Sequence, residues 1–374
     1  MLSKSTTYFP SIDILRGFAA LSVVVYHLIE HFAWKTFPID GWVVWFRIGW
    51  MGVDLFFVIS GFVIGLSAMS EIEAQGATGF RVPFFRRRLA RIVPLHYLTG
   101  LIFVAMVAPH VLFDGFALNA LAHLSFLHNL VPAYHGSING SNWSLGTEMQ
   151  FYVLILVLGP WIARQSSWKM LALFVAVAWV WRYAATLYIP VDSANGPVRL
   201  FMLSTQLPGA LDEFAAGVLL AKLLRSDRGR AWLQSYGLWS LPVAVVAVWA
   251  VLTLFWGYTY WDKPLMVVFF KSALAFAFFW VLLAACALNS PLWLKITWPL
   301  RYLGTISYGI YLWHLPVLLT LHDLPWLGPE RALPIVISLT LALAICSWHF
   351  FEKPLAKRWS TGAQPSDEHT VKSA

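Results

Sequence analysis

The chain has 374 residues, of which 59% are hydrophobic and 12% charged, with a mean hydropathy of +0.67. A soluble domain carries about 25% charged residues, so lipid is the solvent for most of this chain and a string of soluble domains is excluded. The formal charge of +8 comes from basic residues scattered between apolar stretches instead of a basic module for nucleic acid, and two cysteines inside apolar runs exclude a disulfide framework.

Crossing a bilayer takes about 20 predominantly apolar residues in helical form. Runs of that kind fall near 17–34, 47–69, 92–110, 143–163, 168–190, 206–224, 236–256, 266–288, 302–321 and 333–351. They predict an all-α polytopic transmembrane bundle of about ten spans. The stretch 111–142, interrupted by Pro132, Gly136 and Gly140, predicts a short re-entrant helix plus loop. No small-residue cleavage site follows the first run, which is therefore expected to be a retained helix. Residues 1–359 are expected to form one transmembrane domain, and the polar residues 360–374 a disordered cytoplasmic tail.

With the N-terminus placed inside, nineteen of the 26 Lys and Arg collect on one side, so both termini are expected in the cytoplasm and 111–142 outside. Many tryptophans, Trp34, Trp42, Trp50 and Trp256 among them, sit near span ends and read as an interfacial belt.

Ionisable groups within spans are costly, so each is a candidate for function. Arg16 and His27 are eleven residues apart, close to three helical turns and ~16 Å of rise, and so share one side of the first helix. His27 either hydrogen-bonds a neighbouring helix or takes a proton from a hydroxyl at neutral pH. Arg88 and Arg91, one turn apart in FFRRRLARIVP, suit a phosphate-bearing ligand or anionic lipid headgroups. Glu148 enters an apolar helix one turn after its start, with Asn142 or Ser144 as its cap. Its carboxylate would orient an imidazole, bind a sugar hydroxyl or reach the outer interface.

Asp54 and Ser60, Asp212 and Glu213, and Tyr308 and His314 also break apolar runs, as chemistry or as bundle-stabilising partners. Glu352 is expected to make an interfacial ion pair with Lys353. Scattered histidines make no ligand set, so no metal is expected.

Five segments in order, Arg16-x10-His27, GVDLFFVISGF, Arg88-x-x-Arg91, WSLGTEMQFY and SYGIYLWHLP, resemble the acyltransferase-3 family. Its members include bacterial O-acetyltransferases of lipopolysaccharide, exopolysaccharide, peptidoglycan and Nod factors. The resemblance runs from Ser11 to about Arg358. It implies a multi-pass protein of the bacterial inner membrane that takes acyl-CoA, most often acetyl-CoA, from the cytoplasm and acylates a carbohydrate outside. By it Arg88 and Arg91, with Arg16 and Arg86, hold the donor. His27 acts as general base or forms a transient acyl-histidine, and Glu148 belongs to the catalytic set. Trp143, Asp54, Tyr308 and His314 are then acceptor contacts. Since the chain stops soon after Arg358, without the extracytoplasmic extension of some members, a stand-alone enzyme is expected. The competing readings are a transporter or flippase of a polar solute or lipid-linked sugar, and a lipid-binding scaffold.

Overall fold

The computed structural model describes residues 8–361 apart from 114, 191, 192, 194, 258, 259, 261 and 262, with side chains described as far as Trp359. The expectation for the tail from 362 onward lies outside the described residues. Helices account for the regular structure, and no strand occurs among the described residues. That is the arrangement lipid demands, because a helix satisfies its own backbone hydrogen bonds where no water can.

In chain order the helices are α1 (Ile12–His31), α2 (Met51–Gly79), α3 (Arg81–Met106), α4 (Phe116–Leu124), α5 (Trp143–Arg164), α6 (Ser167–Tyr188), α7 (Gly196–Ser204) and α8 (Leu207–Arg225). They continue with α9 (Asp227–Tyr236), α10 (Ser240–Gly257), α11 (Pro264–Ala287), α12 (Pro291–Ile296), α13 (Trp298–Thr305), α14 (Ser307–His322), α15 (Pro329–Ser347) and α16 (Lys353–Thr361). Eight segments are long and apolar enough to cross a membrane, namely α1, α2, α3, α6, α11, Gly140–Arg164, Asp227–Gly257 and Pro329–Trp359. The chain is a multi-pass integral membrane protein.

Two of the ten expected spans differ from the rest. Helix α8 has 19 residues but carries Asp212, Glu213, Lys222 and Arg225, and α14 has only 16 residues. Both are instead packed deep in the bundle, α8 buried along most of its length and α14 buried from Gly309 to Leu318. Around them α1, α2, α5 and α11 form the centre, while Asp227–Gly257 and Pro329–Trp359 expose most of their surface.

Helices α2 and α8 cross at very close range. A methyl group on Gly61 would lie 2.1 Å from the Phe214 carbonyl oxygen, and one on Gly217 would lie 2.0 Å from that of Val58. Reciprocal glycines thus let the two backbones touch, the usual route to tight helix packing in lipid, where no hydrophobic force pulls helices together.

Within 107–142 the short helix is α4, flanked by 3-10 turns at Pro109–Leu112, His128–Leu130 and Gly140–Asn142. Asn139, in the left-handed region at φ 53°, donates its side-chain amide to the Leu312 carbonyl over 2.9 Å and so ties this segment to α14. Neither expected cap of α5 forms: Asn142 makes no side-chain cap bond, and Ser144 turns to Tyr311. Glu352 is not paired at the interface. It is buried in the π-helical turn Trp348–Glu352 and accepts from Ser347 Oγ at 3.1 Å.

Candidate active site

Several of the polar residues of the bundle line two cavities. The first, of about 80 Å³, is built where α1, α2, α3, α5 and α14 converge, and its polar lining includes Arg16, Ser60, Arg88, Arg91, Glu148, Tyr152 and Tyr308. The second, of about 730 Å³, is lined by Tyr26, His27 and Glu30 of α1, Asp54 of α2, Trp143, residues of α7, and Lys271 of α11. Val53 and Tyr311 belong to the walls of both. The helical phase read from Arg16 and His27 thus carries one residue to each cavity.

In the arginine cavity three guanidinium groups face one carboxylate. Glu148 Oε1 accepts from Ser60 Oγ at 2.6 Å and from Tyr152 Oη at 2.7 Å, so α2 and α5 together fix its position. Arg16 lies 3.8 Å from Asp13 in the first turn of α1. Arg88 stacks its guanidinium on Phe84, 5.4 Å from the ring centroid, and its Nε is buried without a hydrogen-bond partner. A buried donor left unmet in a cation-rich cavity fits an anionic ligand. Arg87 is paired with Glu71, and Arg86 is not in the cavity lining.

At the histidine cavity the ring of His27 has two hydrogen-bonding neighbours, the Val23 backbone and His314. Its Nδ1 stands 3.0 Å from Nε2 of His314, and His314 Nδ1 stands 2.6 Å from the Tyr311 carbonyl oxygen. A carbonyl only accepts, so His314 Nδ1 carries a proton, and neutral His314 accepts at Nε2. His27 Nδ1 then donates, which leaves Nε2 as the unprotonated nitrogen of a ring that lines the cavity. This is the tautomer and orientation a general base requires. Tyr311 itself is pinned: its Oη donates to the Ser141 carbonyl at 2.9 Å and accepts from Ser144 Oγ at 2.7 Å.

Two buried ion-paired groups lie beside this cavity. Lys271 pairs with Asp54 and lies 3.4 Å from Glu213, while Arg182 pairs with Asp212, which also accepts from Ser272. Among the described residues no cluster of His, Cys, Asp or Glu is arranged to hold a metal ion.

The sequence candidates are therefore divided. His27, Asp54 and Trp143 share the larger cavity; Arg16, Arg88, Arg91, Glu148 and Tyr308 share the smaller. Tyr308 donates to the Ile92 carbonyl at 2.6 Å, and His314 is fully buried behind His27. Sequence reasoning missed Tyr152, Tyr311 and Lys271. Tyr152 follows Glu148 by four residues on one helix and was within reach of a spacing argument. For Lys271, whose partner lies 217 residues away, no local signal exists.

A family model described as an acyltransferase domain, acyltransferase 3, matches residues 9–351. A Bacillus subtilis protein provisionally named a peptidoglycan O-acetyltransferase is 31% identical over 93% of this chain and 55% of its own length. A peptidoglycan O-acetyltransferase of Listeria monocytogenes is 27% identical over 94% of this chain and 56% of its own. For a Komagataeibacter xylinus protein provisionally named a membrane-bound transacylase the figures are 28%, 91% and 81%. The chain thus spans about half the length of the first two. No solved structure matches it.

Proposed function

Because the chain belongs to the acyltransferase-3 family, we propose that it moves an acyl group, acetyl first among candidates, from acyl-CoA to a hydroxyl of a carbohydrate across the membrane, with His27 as general base. The observation that carries this is the hydrogen-bond chain from the Tyr311 carbonyl through His314 to His27, which leaves a basic nitrogen on the wall of a cavity large enough for a sugar.

In this reading the positive-inside pattern puts both termini and the arginine cavity on the cytoplasmic side of the inner membrane, with all ten apolar helices embedded. Arg88 and Arg91, with Arg16, hold the phosphates of the donor, and Glu148 spaces them and offsets part of their mutual repulsion. Arg86 contributes only to the field at the mouth. The acceptor hydroxyl enters the histidine cavity beside Trp143 and Asp54. His27 Nε2 takes the hydroxyl proton as the oxygen attacks the thioester carbonyl; when the carbon–sulfur bond breaks, His27 returns that proton to the departing thiolate. During the step the imidazolium is stabilised by His314, the neutral acceptor at its Nδ1, much as a base is steadied by an orienting partner in other acyl transfers. Val53 and Tyr311 frame the place where donor and acceptor meet.

The test is acyl transfer by purified protein in vesicles, with labelled acetyl-CoA outside the arginine mouth and acceptor on the other side. Wild type should form labelled sugar ester, and His27→Ala should lose it while staying folded in the membrane. Passage of unmodified solute with no labelled ester would instead favour the transporter reading.

A further inference from the structure

The charges around the two cavities are of opposite sense. Three arginines against one glutamate line the smaller, whereas the described lining of the larger holds two carboxylates, Glu30 and Asp54, and one ammonium, Lys271. That ammonium is already engaged twice, by Asp54 and by Glu213, and Glu213 is fully buried behind it. Arg182, nearby in the bundle, is held by Asp212 and Ser272. An anion entering the larger cavity would therefore meet the unpaired carboxylate of Glu30, while the one described lining cation, Lys271, is already closed on Asp54, a repulsive element of the kind that contributes to specificity.

Much of the rest of the wall is aromatic. Trp143 packs edge-on against Phe201 with centroids 5.0 Å apart, and Trp50 lies 6.1 Å from Tyr260. Flat rings suit the apolar faces of pyranose rings, and Asp54 and His27 offer acceptors for hydroxyl edges. A volume of about 730 Å³ falls within the roughly 300–1,000 Å³ of sites for small ligands and holds a short oligosaccharide end.

We infer that the acceptor is an uncharged sugar, and that uronic acids and phosphosugars are disfavoured in the histidine cavity by Glu30, the lining carboxylate that Lys271 does not neutralise. This rests on the acyl-transfer reading for its biological sense, but sugar binding is measured without the donor and so tests it separately. The probes are chitotetraose and cellotetraose against cellotetraose oxidised to carboxylate at every C6, titrated into donor-free protein in detergent. The readout is quenching of tryptophan fluorescence, with Trp143→Phe to show that the signal arises in this cavity.

A neutral oligosaccharide should bind at least about tenfold more tightly than the oxidised one, and Glu30→Gln, a change at an exposed position, should narrow that gap. Equal or tighter binding of the carboxylated probe overturns the inference, as does failure of every neutral probe to bind. A second measurement is mass analysis of cell-surface polysaccharide made with and without the protein. An added acyl group on a neutral residue supports the inference, and one on a uronic acid or phosphorylated residue overturns it. If neutral probes bind but wild type forms no ester, the transfer reading fails and the binding result stands.

Discussion

Ser60 of α2 donates to Glu148 of α5 over 2.6 Å, and by that bond the carboxylate is held among the arginines, away from His27. Glu148→Gln keeps an oxygen for Ser60 and Tyr152 but removes the charge that balances Arg16, Arg88 and Arg91. The expected result is a change in KM for acetyl-CoA with little change in KM for the acceptor. Glu148→Ala leaves two hydroxyl donors unmet at a cost of about 1–3 kcal/mol each, seen as a lower melting temperature in detergent.

His314→Ala removes the acceptor at His27 Nδ1 without opening the cavity wall, since His314 lines neither cavity. Loss of an oriented base typically costs about 10²–10⁴ in rate, so kcat should fall about a hundredfold with both KM values nearly unchanged. His314→Gln, which restores a carbonyl acceptor, should recover part of it. A purely structural role would lower stability and all parameters together.

Arg88→Ala should raise KM for acetyl-CoA about tenfold or more, a loss of a charge-assisted contact of about 1.5–3 kcal/mol. Arg88→Lys should recover little, because a lysine cannot reproduce the planar fork. Arg86→Ala should give a smaller rise. Initial rates across a donor series with fixed acceptor check all three, and a larger effect at Arg86 than at Arg88 would contradict the assignment of the cavity.

Outside the spanning helices, burial holds His128 down to about 3 and His135 to about 4, against the ordinary 6.5, and also lowers His123. The next largest influence on His128 is His123, whose ring stacks on it at 4.2 Å. The folded state thus keeps these imidazoles neutral, while the unfolded chain takes up protons below 6.5. Stability conferred by them is complete above that pH and declines as pH falls from 6.5 towards about 3. Melting temperature in detergent should therefore drop between pH 6.5 and 5, and His128→Gln should flatten that slope.

Much of this is legible in the sequence. Eight of the ten expected spans followed from apolar length, because that is a property of local chain. What was hidden depends on tertiary packing. His314 reads alone as one more polar residue near a proline; only the contact of α1 with α14, across 287 positions, makes it the partner of His27. Lys271 and Arg182 are ion-paired inside the bundle with residues on other helices, which no local pattern announces. Glu148 matched an active-site glutamate by motif, but its neighbours are set by the crossing of α5 with α2, which no spacing rule supplies.

The shared wall of Val53 and Tyr311 has a consequence for the cell's energy supply. On the proposed acyl-transfer reading, two pockets that share a valine and a tied-down tyrosine in their walls would let an acyl group change hands without a standing column of water between the two aqueous phases. A polar path open from end to end would leak protons at every turnover. On that reading the barrier is the same pair of side chains at which the reaction partners would touch, so traffic in acyl groups would leave the membrane potential intact.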